Sequence, residues 1–322
     1  MSSAARDPLR GPHRFAVFLA CSVVLLITAG GLVKSLEAGL SVPDWPTSYG
    51  GFNPPRWWEI ENVRAEHGHR LIAGTVAALT VLLAVWINRR DRRRWVRRLA
   101  VVAVATVLLQ ALLGGITVLY FLPPAISVSH AALAEIFLCL VVVLAVVTSP
   151  AWRRPGRSDR DQPPRLPLAP ILTATIFVQI LIGAVMRHTG AGLAIPDFPL
   201  VFGGLFPPEL SFPIVVHYTH RVGALVVAGL VGVLSVQVVR RGWQYPGLRY
   251  PVMLLGLLVV VQVTLGALVV LSGKAVLPNT LHVGVGATIL ATSLVLTLNG
   301  WRTRRGEEAM SPAVRSVEEA VS

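Results

Sequence analysis

Eight times along the chain, apolar residues run for roughly twenty positions with almost no charge among them. The runs lie near residues 14–33, 67–88, 99–121, 127–149, 168–187, 214–239, 250–271 and 279–300. A helix rising about 1.5 Å per residue needs about 20 such residues to cross hydrocarbon, so each run predicts one membrane span. Only the break at Pro123-Pro124 separates the third run from the fourth. The fold class predicted is an all-α polytopic membrane protein. Composition agrees, because 54% of the 322 residues are hydrophobic and only 14% are charged, where a soluble domain carries about a quarter. One stretch breaks the pattern. EHGHRL, Glu66 to Leu71, opens the second run with an acid, two histidines and an arginine, groups that hydrocarbon excludes at several kcal/mol each.

The net charge of +13 suggests nucleic acid until its placement is read. Of the 29 basic residues, 22 fall at the two termini and in three clusters: Arg89 to Arg98, Arg153 to Arg165, and Arg240 to Arg249. These are alternate inter-span segments, so the charge is a topology signal and excludes a nucleic-acid partner. By the positive-inside rule both termini and the basic loops are cytoplasmic, which agrees with an even span count. The expected location is the plasma membrane, multi-pass and in contact with lipid. The first run lacks a small-residue cleavage site and is read as a retained helix. Cys21 and Cys139 lie inside runs and read as packing residues without a disulfide.

The two halves of the chain repeat each other. Gly39, Pro43, Asp44, Pro46, Gly50, Gly51, Pro54 and Pro55 recur 153 residues later as Gly192, Pro196, Asp197, Pro199, Gly203, Gly204, Pro207 and Pro208. His69-Arg70 recurs as His220-Arg221, Gln110 as Gln262, and His130 as His282. So steady an offset predicts two pseudo-symmetric four-helix bundles of the same orientation. The N-terminal half is residues 1–149, the C-terminal half 168–302, and a polar cytoplasmic tail 303–322. The linker between the halves, 150–167, is rich in Arg and Pro and reads as flexible and solvated.

His69, His130, His220 and His282 each fall in the first turn or two of an even-numbered span, so all four lie near the extracytoplasmic face. In an up-down bundle the second and fourth helices face each other across the core, so His69 opposes His130 and His220 opposes His282. One such histidine reads as a satisfied polar residue. Four in register, two per half, suit two planar iron porphyrins with an imidazole on each side. Zinc or copper fits less well, for no cysteine or second carboxylate accompanies either pair. Arg70 and Arg221 are candidate contacts for haem propionates, or cations that snorkel to the interface; Lys34 and Arg187 carry the same ambiguity. Glu66, three residues before His69, has His217 as its counterpart before His220. That asymmetry points to one site for chemistry and one for electrons, although an acid near a helix start is also favoured by the macrodipole. His67 reads as an interface residue, His188 and His217 as supporting or surface groups, and His13 as part of the cytoplasmic tail. Asp44 and Asp197 read as turn residues.

Taken together, GLVKSLEAGLSVPDWP, EHGHR, QALLGGITVL, VSHAALAEIF, VMRHTGAGLAIPDFP, HYTHRVGALVV and LHVGVGATI resemble the haem A synthase family over nearly the whole chain. The resemblance implies oxidation of a methyl group of haem O to a formyl group, giving haem A, with oxygen from water. It implies haem b on His220 and His282, substrate on His69 and His130, and Glu66 as the functional acid. The partners it implies are haem O synthase and cytochrome oxidase assembly components. The electron acceptor is unknown, and a homo-oligomer is left open. Some bacterial members carry a cysteine pair in the first outer loop; LSVPDWPTSYGG has none, so no disulfide or thiol relay operates there. Prolines, glycines and Trp45, Tyr49, Trp57 and Trp58 are expected to order that loop as a lid. Two rival readings are a dihaem b electron carrier and a haem chaperone or transporter. The first calls for histidines at both faces, and the second leaves the Glu66/His217 difference unexplained.

Overall fold

The computed structural model describes residues 8–153 and 164–321, with side chains through Trp301. Among the described residues, eight helices are long and apolar enough to cross a membrane. They are α1 (Arg10–Ser35), α2 (Glu61–Arg90), α3 (Arg94–Leu119), α4 (Pro124–Thr148), α5 (Leu168–His188), α6 (Phe212–Arg241), α7 (Pro246–Leu271) and α8 (Val276–Val321). All but α5 start two to six residues before the apolar runs, because Arg and Glu continue a helix well once hydrocarbon has nucleated it. Pro124 and Pro246 stand at first helical positions, where the missing N–H is an orphan in any case. The backbone of α8 stays helical past the membrane-length segment ending at Trp301.

Helix α1 packs on α2, α2 on α3, α3 on α4 and α4 back on α1; α5 to α8 close a second ring in the same order. The rings meet where α1 and α4 pack on α8, and α4 on α5. Helices α4 and α8 are therefore the most buried of the eight spans. Each ring has an apolar core, one around Leu19, Leu83, Phe137 and Leu138, the other around Leu172, Leu234, Leu248 and Leu290. Where the rings meet, α1 and α8 approach through small residues, as membrane helices do when dispersion must replace the hydrophobic drive. A Cβ on Gly284 would fall 2.3 Å from Thr28 Oγ1, and one on Gly31 would fall 3.3 Å from Val283 Cβ.

At one end of the molecule the α2–α3 and α6–α7 connections are short and flanked by arginines. Asp91 accepts from the Arg93 amide at 2.9 Å and pairs with its guanidinium at 2.7 Å, while Arg93 donates on to Val147 O at 2.9 Å. Burial alone would raise the Asp91 pKa; the Arg93 bonds and charge outweigh it and hold the carboxyl below its usual range. At the other end two long segments, residues 36–60 and 189–211, cap the rings.

Three expectations change. His13 is not in a tail: it lies in α1 and its Nδ1 is 2.8 Å from Ala145 O. Cys21 is exposed on the outside of α1, and only Cys139 is partly covered, since a thiol is apolar enough to face lipid. The centre of the linker, 154–163, lies outside the described residues, but its ends are packed. Leu166 is 6% exposed in the second core, and Trp152 lies against the first.

Replacing Gly284 with Val should push α8 off α1 and cost about 1–3 kcal/mol. A drop in thermal stability of the detergent-purified chain checks this, and an unchanged transition would mean the two rings tolerate separation.

Candidate functional site

The four histidines gather at the long-loop end, as their register in the repeat requires. Because the helices begin earlier than the apolar runs, His69 is the ninth residue of α2 and His220 the ninth of α6. That places them about 12 Å below the helix start, deeper than the first turn or two.

Each imidazole lies against a glycine of a neighbouring helix. A Cβ on Gly30, Gly114, Gly183 or Gly266 would fall 3.1, 3.1, 2.9 or 3.2 Å from Cε1 of His69, His130, His220 or His282 respectively. A side chain there would press on the ring, most severely at Gly183. Gln110 donates to His130 O at 2.9 Å and Gln262 to His282 O at 3.0 Å. Gln179 donates to His220 O at 2.6 Å and lies 3.1 Å from His220 Nδ1. In the first half Leu26 stands where the repeat puts Gln179, and His69 Nδ1 is buried without a partner. His130 and His282 also bury an unpartnered Nδ1.

The rings of His220 and His282 face each other with centroids 6.3 Å apart. Two imidazoles bound through one metal at about 2 Å per bond put their centroids on the order of 6 Å apart, so the pair fits an axial bis-histidine site. Among the described residues, no group of three or more His, Cys, Asp or Glu suits a bare metal ion.

The two long loops share one design. Asp44 accepts from the amides of Tyr49 (2.7 Å) and Gly50 (2.9 Å), and Asp197 from those of Phe202 (2.9 Å) and Gly203 (2.8 Å). Tyr49, Gly50, Phe202 and Gly203 all have positive φ; Tyr49 and Phe202 hold that conformation as β-carbon residues because the carboxylate fixes the turn. Trp45-Pro46 and Phe198-Pro199 are both cis. Burial alone would raise the Asp44 pKa, but the Thr47 hydroxyl and the Gly50 and Tyr49 amides bring it to about 2. The Gly203 amide, with that of Phe202, lowers Asp197.

One arginine per half holds the loop to its helix. Arg70 donates to Asp44 O (2.6 Å), Thr47 O (2.8 Å), Val42 O (2.8 Å) and Glu66 Oε1 (2.6 Å). Arg221 donates to Leu200 O (2.8 Å), Ile195 O (3.1 Å), Asp197 O (2.7 Å) and His217 Nε2 (3.2 Å). These candidates for propionate contact have most of their N–H groups on the chain itself. Loop order thus rests on the arginines more than on aromatics, since Tyr49 and Trp58 are each 55% exposed. Trp45 differs: its ring fills the space above Gly115, where a Cβ would fall 2.4 Å from Cδ2, next to the glycine that seats His130.

Glu66 and His217 occupy matching places. Val42 N donates to Glu66 Oε2 at 2.8 Å, and Ile195 N donates to His217 Nδ1 at 3.3 Å. Both are buried, so Glu66 is more than a helix-start charge and His217 is no surface group. His67, expected at the interface, is buried too, with Nδ1 2.9 Å from Ser48 Oγ and Trp57 edge-on at 4.9 Å. The loop folds over these positions, which a helix read in isolation leaves open. Glu135 was passed over: it is 4% exposed in α4 with Oε2 unpartnered. Its signal was visible, one acid inside HAALAEIFLCLVVVL.

A family model described as cytochrome oxidase assembly protein matches residues 13–294. Among curated proteins, the chain is 28% identical to the haem A synthase of Halalkalibacterium halodurans over 289 residues, covering 87% of this chain and 93% of that one. It is 30% identical to that of Shouchella clausii, covering 90% and 95%, and 30% identical to that of Symbiobacterium thermophilum, covering 84% and 90%.

Removing Arg70 strands a buried carboxylate, whereas removing Arg221 strands a neutral imidazole. Arg70→Gln should therefore destabilise by about 3 kcal/mol or more and Arg221→Gln by less; thermal unfolding and proteolytic cleavage within 36–60 and 189–211 measure both. The folded Asp44 pKa of about 2 lies below the ordinary aspartate value of 3.8. Its stabilisation is complete above that value and is lost as pH falls through it toward the folded one. Tryptophan fluorescence should report loop loosening across that window in the wild type and not in Asp44→Asn.

Proposed function

The chain belongs to the cytochrome oxidase assembly protein family, and on that premise we propose that it is a haem A synthase, oxidising a ring methyl of haem O to a formyl group. The observation that carries the reading is the paired-histidine architecture: four imidazoles at one end of two helical rings, each seated on a glycine, one pair facing at 6.3 Å. His220 and His282 would hold haem b, and His69 and His130 the substrate. Haem b, when bound, supplies one-electron redox chemistry to a reaction from which both electrons and protons must leave. The Gln179 contacts of His220 support a resident group there, because a hydrogen-bonded ligand histidine is held in one orientation. His69, with Leu26 in the matching place, lacks that side-chain bond and suits a porphyrin that comes and goes.

Glu66 is the acid beside the substrate. It lies one turn above His69 on the same helix face, and Arg70 and Val42 fix one carboxylate oxygen each. Each oxygen keeps a lone pair. A carboxylate so held can orient water, accept its proton, or stabilise positive charge developing at the methyl carbon. His217 in the other half offers no such anion, which supports unequal roles for the two sites. Trp45 over Gly115 and the clamped loop exclude bulk water from the first site. The positive-inside pattern supports both sites lying at the extracytoplasmic face with the termini in the cytoplasm. Haem O synthase and oxidase assembly components are the partners this reading brings.

The test is to purify the chain from cells that make haem O, extract its haems and identify them by chromatography and mass. Wild type should yield haem b and haem A. Glu66→Gln should retain haem b and shift the second haem to haem O or a hydroxylated intermediate, with turnover down about 100-fold or more. Two equivalents of haem b and no haem A in both proteins would make the chain an electron carrier instead.

A further inference from the structure

Where the two rings meet at the long-loop end, positive charge collects without a counter-charge. Arg187, at the end of α5, crosses to α1 and donates to Gly31 O (2.6 Å) and Ser35 Oγ (2.9 Å). Thr280 of α8 donates to the same Ser35 Oγ at 3.0 Å, so three helices are laced together there. Arg187 Nε is buried and unpartnered. His188 is within electrostatic reach of Lys34, Arg187 and His130, and Arg187 is within reach of His282. The cluster therefore borders both histidine pairs.

None of the three ion pairs among the described residues includes Lys34 or Arg187. Glu37, the nearest acid in sequence to Lys34 and two residues past the end of α1, is exposed and pairs with neither. Lys34 is half-buried, but Arg187, with Nε buried, is a cation withdrawn from water without an anion, which is costly, so the arrangement calls for one. Register says which. Lys34 follows Gly30 by four residues, and Arg187 follows Gly183 by four. Residues four apart share a helix face, so each cation stands one turn above a glycine that seats an imidazole, His69 and His220 respectively. Arg70 and Arg221, by contrast, are engaged by loop carbonyls.

We propose that Lys34 and Arg187, with the neighbouring His188, form a cationic seam that binds the carboxylate side chains of the two porphyrins. This rests on the haem reading above and assigns the anionic edge of each ring to the junction of the two halves. A charged guanidinium donating to a carboxylate is the stronger kind of hydrogen bond. Because Arg187 is anchored on α1, the C-terminal half contributes directly to the border of the first site.

The test titrates the haem-free full chain, in lipid nanodiscs, with protohaem IX and with its dimethyl ester, following Soret absorbance. The ester keeps the iron and the apolar ring and loses both charges. Wild type should bind the diacid more tightly by on the order of tenfold or more. Lys34→Gln and Arg187→Gln should each weaken the diacid and bring the diacid-to-diester ratio toward one, with Arg187→Lys recovering part of it. Equal binding of the two forms by wild type overturns the seam and needs no variant to fold; the charge would then serve another anion, such as a lipid phosphate. An undiminished ratio in both glutamine variants, lost instead in Arg221→Gln, also overturns it. Equal binding with haem A still produced sinks only this inference, whereas failure to bind either form sinks the haem reading with it.

Discussion

A single guanidinium in each half holds the architecture of the candidate sites. The loop of residues 36–60 contains little regular structure, so its carbonyls need donors that neither lipid nor a sheet supplies. Arg70 gives three of them a partner and turns its remaining bond to Glu66, which in turn accepts from the loop at Val42. Loop, arginine and acid thus form one closed circuit, and Arg221 closes its counterpart through His217. Without that circuit Trp45 has no fixed place over Gly115, and Glu66 has no fixed place near His69.

The same circuit explains how two halves of nearly one design can differ in chemistry. Substituting a carboxylate for an imidazole at one position, 66 against 217, leaves the backbone partners intact: Val42 N–H meets the acid and Ile195 N–H the ring. The fold therefore tolerates the exchange while the charge beside the neighbouring histidine changes outright. A second difference lies below the first, where Gln179 reaches His220 and Leu26 stands in the other half. Both differences fall beside imidazoles and leave the four glycine seats unchanged.

Burial also divides the charged residues into two kinds. Glu66 and Arg70, and Asp91 and Arg93, satisfy each other at 2.6 and 2.7 Å. Glu135, Lys34 and Arg187 have no ionic partner among the described residues. In a membrane protein such groups mark a place where something is bound or moved.

The sequence by itself determined the eight spans, the doubled plan and the histidines at one end, because these follow from period and spacing, which a linear chain displays. Span length is a matter of hydrocarbon thickness, and a steady offset near 152 residues needs no coordinates. Glu66 against His217 was legible for the same reason. What only the tertiary structure decided is what each side chain meets. Arg70 and Arg221 suit an anion equally well on paper, and folding gave their donors to loop carbonyls more than twenty residues away in sequence. His67 became a buried partner of Ser48, and Arg187 was brought to α1, 156 residues earlier. Hydrogen bonds act over a few ångströms in space whatever the separation along the chain, so their pairing is fixed by packing and cannot be read from pattern.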